Sequence, residues 1–308
     1  MKIGIIGAGM VGSTAAYAIG LLEVAHSVVL VDLDPSMSRA QAEDINHGMP
    51  FASTTRVTSG GYEDLDGAEI IILAAGVGQK PGESRLSLLS RNAAVFQNVI
   101  DAVLAVVPDP ILLIASNPVD IMTSIACQLS GLPPHRVIGS GTILDTARFR
   151  SLLSQHLGIA PLSIHAYVLG EHGDSEVLAW SGARAGNMPL DAFAAYAGAP
   201  ITGDVRTRID DGVRNAAYSI IAGKGATYYG IGAGLAQLVS AIARDKRIVM
   251  SVSTETNGFD GFPKIAYSLP RVLGRSGVEL DLMPDVDAEE RSALERSAIL
   301  LRETADAI

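Results

Sequence analysis

The chain has 308 residues, 48% of them hydrophobic and 18% charged, with 33 acids against 23 lysines and arginines for a net charge of −10. Such a composition excludes a disordered chain, and the length suffices for one large or two medium domains cored without metals or disulfides. The negative balance disfavours phosphate backbones and anionic lipid headgroups, so neither nucleic acid nor membrane is an expected partner.

Residues 3–22 carry no charge, follow Lys2 and include Ala16-Tyr17-Ala18, a pattern compatible with a cleaved leader or a membrane span. Glycines interrupt that run as Gly7-Ala8-Gly9-Met10-Val11-Gly12, directly after the apolar run 3–6, which reads as a strand. Each has a physical task. Gly7 permits a tight turn, Gly9 lets a pyrophosphate approach the backbone, and Gly12 lets the helix pack on the strand. The helix N-terminus adds unpaired N–H groups and a positive dipole end. Asp32 ends the next strand, 28–31, 20 residues beyond Gly12. A carboxylate there accepts bonds from ribose hydroxyls and repels a 2′-phosphate, so NAD is the expected cofactor rather than NADP. The dinucleotide loop therefore displaces the leader reading. The one cysteine, Cys127, cannot form an internal disulfide, which fits a reducing compartment and a cytoplasmic location.

Asp34 with Pro35 reads as an N-cap and first turn of a helix ending near Gly48. Strands follow at 70–73 and 111–114, short and apolar on both faces, with a helix between them from about 83 to 107. Alternating strands and helices imply a doubly wound parallel sheet over residues 1–140. Beyond it, 141–308 reads as a mixed α+β domain. Val205, Ile209, Val213, Ala217 and Ile220 form one helical stripe. Segments 248–254 and 265–269 look like strands of a separate mixed sheet. A last helix over 288–305 buries Leu294, Ala298, Leu301 and Ala305, capped by Asp287 and Glu290.

Three segments carry candidate chemistry. His172 lies in Gly170-Glu171-His172-Gly173-Asp174-Ser175, after the apolar run 164–169. Asp145 and Arg148 stand three apart, on one helical face. Gln79-Lys80-Pro81-Gly82-Glu83-Ser84-Arg85 joins a strand end to a helix, with Gly76 and Gly78 before it. The remaining histidines are scattered, with no HxxxH or Cys/His pair, so no metal is expected.

Together with Ser116-Asn117-Pro118-Val119-Asp120 and Gly225-Ala226-Thr227-Tyr228-Tyr229-Gly230, these segments resemble the L-lactate/L-malate dehydrogenase family across essentially the whole chain. The resemblance implies that His172 donates a proton to the carbonyl oxygen of a 2-keto acid while NADH delivers hydride to its carbon. It also implies that Asp145 fixes the imidazole and supports its charge, and that Arg148 grips the substrate carboxylate. Arg85, on a loop that closes, polarises the carbonyl; Asn117 bonds the carbonyl side; Ser140 and Ile231 line the nicotinamide pocket. Gln79 occupies the position where malate-specific members place arginine, and Thr227 limits the pocket, so pyruvate is expected over oxaloacetate. Gly78 departs from the bulkier polar residue common there.

Arg150 and His165 match positions that bind fructose 1,6-bisphosphate across a subunit interface in allosteric members, implying a homo-oligomer, a tetramer, responsive to that effector. The rival expectations are a malate or other 2-hydroxy-acid dehydrogenase, and a non-catalytic NAD-sensing protein.

Overall fold

The computed structural model describes residues 1–76, 85–256, 259 and 261–307, with backbone alone for 85 and 86. Parallel strands β1 (Lys2–Ile6), β2 (Ser27–Val31), β3 (Arg56–Ser59), β4 (Ile70–Leu73), β5 (Ile111–Ile114) and β6 (Val137–Gly139) alternate with α1 (Met10–Leu21), α2 (Pro35–Gly48), α3 (Arg85–Val106) and α4 (Val119–Ser130). Next come α5 (Ile143–Leu157), the short strands β7 (Ile164–His165), β8 (Val168–Leu169), β9 (Val177–Leu178), β10 (Arg184–Ala185) and β11 (Met188–Pro189), and helix α6 (Leu190–Tyr196). Helices α7 (Gly203–Arg214), α8 (Ala216–Lys224) and α9 (Tyr229–Ala243), strands β12 (Ile248–Glu255), β13 (Ala266–Gly274) and β14 (Gly277–Asp281), and α10 (Ala288–Asp306) complete the described chain.

Two-sided burial explains the apolar strands. Ile3, Ile5, Val28, Leu30, Ile70 and Ile72 face one core beneath α1 and α9. The intervening Val29, Val31, Ile71 and Leu73 face a second core with Phe96, Ile100 and Val103 of α3. Period-two alternation thus feeds both faces from one continuous apolar run. Asp34 caps α2 as its sequence implies, accepting the Ser36 N–H at 2.9 Å.

Three expectations need correction. Strands β12 and β13 are not a separate sheet. They join the parallel strands in one nine-stranded sheet ordered β14-β13-β12-β6-β5-β4-β1-β2-β3 among the described residues. The junction is β6, too short to show in the sequence, where Gly139 pairs antiparallel with Ser253. The stripe from Val205 to Ile220 is not one helix, because α7 ends at Arg214 and α8 begins afresh after Asn215; Ile209 and Val213 are buried while Ile220 is exposed. The cap of α10 is one-sided. Asp287 accepts the Glu290 N–H at 2.8 Å, but the Glu290 carboxylate accepts from the N–H and hydroxyl of Ser181 rather than closing a capping box.

The parallel strands all end at one edge of the sheet. Strand order changes direction at β1, which lies between β4 and β2. Crevices form at such a switch point outside the carboxyl ends of the strands.

Candidate active site

A cleft of about 370 Å³ opens at that switch point, lined by Gly7, Gly9, Asp32, Leu33 and Gly76. Gly7 has φ of 102°, a left-handed conformation that strains any residue with a Cβ. A Cβ at Gly12 would collide with the carbonyl oxygen of Gly7, whereas one at Gly9 would meet nothing within 4 Å. The space over Gly9 is open, and the N-terminus of α1 lies beside it with Met10 exposed and Val11 half-buried. Asp32 accepts the Ala8 N–H at 2.6 Å and the Asp34 N–H at 3.0 Å. One carboxylate so engaged keeps lone pairs for diol hydroxyls. Shape, glycine placement and acid together fit a dinucleotide.

The second cluster is built by α5 and the turn after β8. Asp145 and Arg148 lie on the first turns of α5, and Arg148 Nη1 donates to Asp145 Oδ1 at 2.7 Å. His172 Nδ1 donates to the other oxygen, Oδ2, at 2.6 Å. Asp145 is 2% exposed, so one buried carboxylate organises two functional side chains. The His172 turn is pinned on several sides. Gly170 N–H donates to Ser268 O at 2.9 Å, Glu171 N–H to Ser297 Oγ at 2.9 Å, and His172 N–H to Asp120 Oδ2 at 2.7 Å. Asp120, in the first turn of α4, is buried and has its carboxyl pushed up to about 6, chiefly by that burial. Burial on its own would lower the His172 proton affinity. The hydrogen bond and charge of Asp145, with Asp120 and Glu176, outweigh it and push the imidazole up to about 9.

A cavity of about 470 Å³ adjoins the cluster and is lined by Leu144, Arg148, Lys224, Thr227, Tyr229 and Ile231 among others. Thr227 and Ile231, remote from Arg148 in sequence, thus share one wall with it. Ser140 is buried beyond β6, its N–H donating to Ile114 O at 2.9 Å. Asn117 is exposed between β5 and α4. Gln79 lies outside the described residues, and of Arg85 only the backbone, at the start of α3, is described. Arg150 Nε donates to Ala166 O at 2.8 Å, and its guanidinium lies 4.7 Å from the Tyr167 ring centre. His165 is the exposed neighbour of Ala166, paired with Arg184 across β7 and β10.

Three participants escaped the sequence reading as individuals. Asp120 stood in the sequence only as part of the 116–120 motif, while Glu176 and Arg214, whose Nη1 is 3.9 Å from Glu176 Oε1, carried no local signal at all. Donor atoms of Asp145, His172 and Glu176 lie within 4.8 Å of one another. Both Asp145 oxygens are already committed to Arg148 and His172, so this is an acid–base cluster and not a ready cation site.

The lactate/malate dehydrogenase NAD binding domain matches residues 1–139, and the lactate/malate dehydrogenase alpha/beta C-terminal domain matches residues 142–308. This chain belongs to the lactate/malate dehydrogenase family. As a member of that family it uses NAD. It is 61% identical to an L-lactate dehydrogenase of Allorhizobium ampelinum over 305 residues, covering 99% of this chain and 98% of that one. Identity to an L-lactate dehydrogenase of Thermus aquaticus is 59% over 308 residues, covering 100% and 99%. A solved lactate dehydrogenase, MGS-M5 from a Medee basin deep-sea metagenome library, superposes with a TM-score of 0.96 at 39% identity, covering 99% of this chain and 98% of that one.

Proposed function

We propose that the chain is an L-lactate dehydrogenase that interconverts pyruvate and L-lactate. The observation that carries this is the sharing of Asp145 between His172 and Arg148, which sets a proton donor beside a carboxylate receptor. When bound, NADH supplies the hydride that reduces the carbonyl carbon. Because Nδ1 is engaged by Asp145, Nε2 is the ring nitrogen left for substrate. It gives its proton to the carbonyl oxygen, leaving a neutral ring oriented by Asp145. Only one Arg148 N–H is needed for Asp145, and the rest of the planar fork can hold the substrate carboxylate in two bonds. That grip decides which prochiral face is presented, and hence the L product.

Around this core we assign Arg85 to polarising the carbonyl and Asn117 to bonding its side of the site. Gln79 and Thr227 fit the substrate's methyl end. Gly7, Gly9, Met10, Val11, Gly12, Asp32, Gly76, Asn117, Ser140 and Ile231 contribute to holding the dinucleotide. In this division of labour residues 1–140 bind cofactor and 141–308 bind substrate. A neutral Gln79 offers no countercharge to a second carboxylate, which sets pyruvate above oxaloacetate.

A second reading concerns regulation. The Arg150 bond to Ala166 ties that cation to the residue that follows His165 at the end of β7. Paired copies in a homotetramer would gather four such groups, whose repulsion a bisphosphate such as fructose 1,6-bisphosphate would relieve. Among the described residues no helix is long and apolar enough to cross a membrane, and a cytoplasmic enzyme is the reading we adopt.

NADH oxidation assayed with pyruvate and with oxaloacetate, each with and without fructose 1,6-bisphosphate, tests both readings. Pyruvate should give the larger kcat/KM by about 100-fold or more, and the bisphosphate should lower the half-saturating pyruvate concentration. Equal use of both acids would overturn the specificity, and a pyruvate curve unmoved by bisphosphate would overturn the regulation.

A further inference from the structure

One buried acid near the catalytic cluster has no task in the proton transfer just described. Glu176, immediately before β9, is 5% exposed, and its Oε1 has no hydrogen-bond partner among the described residues. Desolvating a carboxylate without donors is costly unless a charge compensates it. The nearest cations are Arg214, whose Nη1 is 3.9 Å from Oε1, and the imidazole of His172. Arg214, at the end of α7, also donates to Asp174 O at 3.2 Å and Glu176 O at 2.9 Å. It thereby fixes the backbone that carries Glu176.

We propose that Glu176 is a positioning residue for the proton donor: a second carboxylate, behind Asp145, that keeps the His172 imidazole charged. This rests on His172 being that donor. The groups facing the pair come from every side. Asp145 and Arg148 approach from α5, Arg214 from α7 and Asp120 from α4, and Glu171, on the turn itself, acts on Asp120. Burial and then the Asp145 charge raise the Glu176 carboxyl to about 8. Once ionised, it sets a negative charge within 4.8 Å of the ring, and that charge opposes the loss of the His172 proton. The effect has the same sign in both reaction directions. It extends pyruvate reduction to higher pH, and it delays lactate oxidation, which needs the neutral ring.

The test is the imidazole titration of the ligand-free enzyme by NMR, with the His172 signal assigned by its disappearance in His172→Gln. Glu176→Gln should lower the midpoint by about one pH unit, whereas Glu176→Asp, which keeps the charge, should lie closer to the parent. The pH limbs of kcat/KM for pyruvate and for lactate should move down together by the same amount. If Glu176→Gln does not fold, Glu176→Ser removes the same charge with less bulk and is read the same way. An unmoved midpoint, or equal shifts in Glu176→Gln and Glu176→Asp, overturns the proposal. Because the titration is read without substrate, a wrong assignment of the reaction would leave the midpoint shift intact and fail only in the rates.

Discussion

The Nδ1 atom of His172 is 2.6 Å from Oδ2 of Asp145, and the second oxygen of that carboxylate is held by Arg148 at 2.7 Å. The geometry makes Asp145 the hinge of the site. Losing its charge releases the imidazole to burial, which lowers its proton affinity. In the mechanism proposed above, pyruvate reduction needs the protonated ring. Its kcat/KM should be level at low pH and fall as pH rises through about 9, while lactate oxidation should climb over the same range. In Asp145→Asn both limbs should move to lower pH, and pyruvate kcat/KM at neutral pH should fall by about 100-fold to 1,000-fold. Profiles that superpose on the parent would remove Asp145 from the mechanism.

Arg148 offers a planar fork, and one prong is already spent on Asp145. Arg148→Lys keeps the charge but not a second parallel bond. We expect the pyruvate KM to rise by about 100-fold, with the dissociation constant for NADH, read from its fluorescence, unchanged. A rise confined to NADH binding would place Arg148 on the wrong ligand.

Gln79 is a test of specificity that rests on the sequence alone. Gln79→Arg introduces a countercharge for a second substrate carboxylate. The ratio of kcat/KM for oxaloacetate to that for pyruvate should increase by about 1,000-fold, some 4 kcal/mol of differential transition-state binding. A ratio that stayed where it was would show that this position does not read the substrate's side chain.

Asp32 has two roles, accepting the Ala8 N–H at 2.6 Å and standing in the cleft. Asp32→Ser removes a charge that repels a 2′-phosphate, so the preference for NADH over NADPH should narrow by about 100-fold. It also leaves a turn N–H short of its acceptor, at a cost of about 1 to 3 kcal/mol. Steady-state kinetics with both cofactors, alongside thermal melts, separate the two roles. A preference that did not narrow would mean the acid serves only the turn.

What could be read from the chain and what could not divide on physical lines. Strands 70–73 and 111–114 and the cap at Asp34 were legible because local burial and local hydrogen bonding determine them. The Asp145–Arg148 pair was legible as a face of a helix, since residues three apart meet whatever surrounds them. The single nine-stranded sheet was not, because the pairing of Gly139 with Ser253 joins segments 114 residues apart through a strand of three residues. The break of the Val205–Ile220 stripe at Asn215 was hidden for a related reason, as apolar spacing continues in phase across it. Glu176 was invisible as a site because nothing local marks an acid as buried. Arg214 of α7 and Asp145 of α5 come near it only once the chain is folded.

Arg271 presents the same problem as Glu176 with the opposite charge. On β13 it is wholly buried, donating to Asp281 Oδ1 at 2.7 Å, Tyr267 O at 2.9 Å and Thr256 Oγ1 at 2.8 Å, and also to Val252 O. Burial lowers its proton affinity, opposed chiefly by the Asp281 charge. Asp281→Ala would leave the guanidinium in the core without its salt-bridge partner, at a cost of about 3 kcal/mol. Arg271→Met in that background removes the stranded charge while filling similar volume. The double variant should therefore regain part of the stability lost by Asp281→Ala, as measured by urea denaturation. If instead the two losses add, then the four hydrogen bonds of the guanidinium, and not its buried charge, are what β12 and β13 depend on.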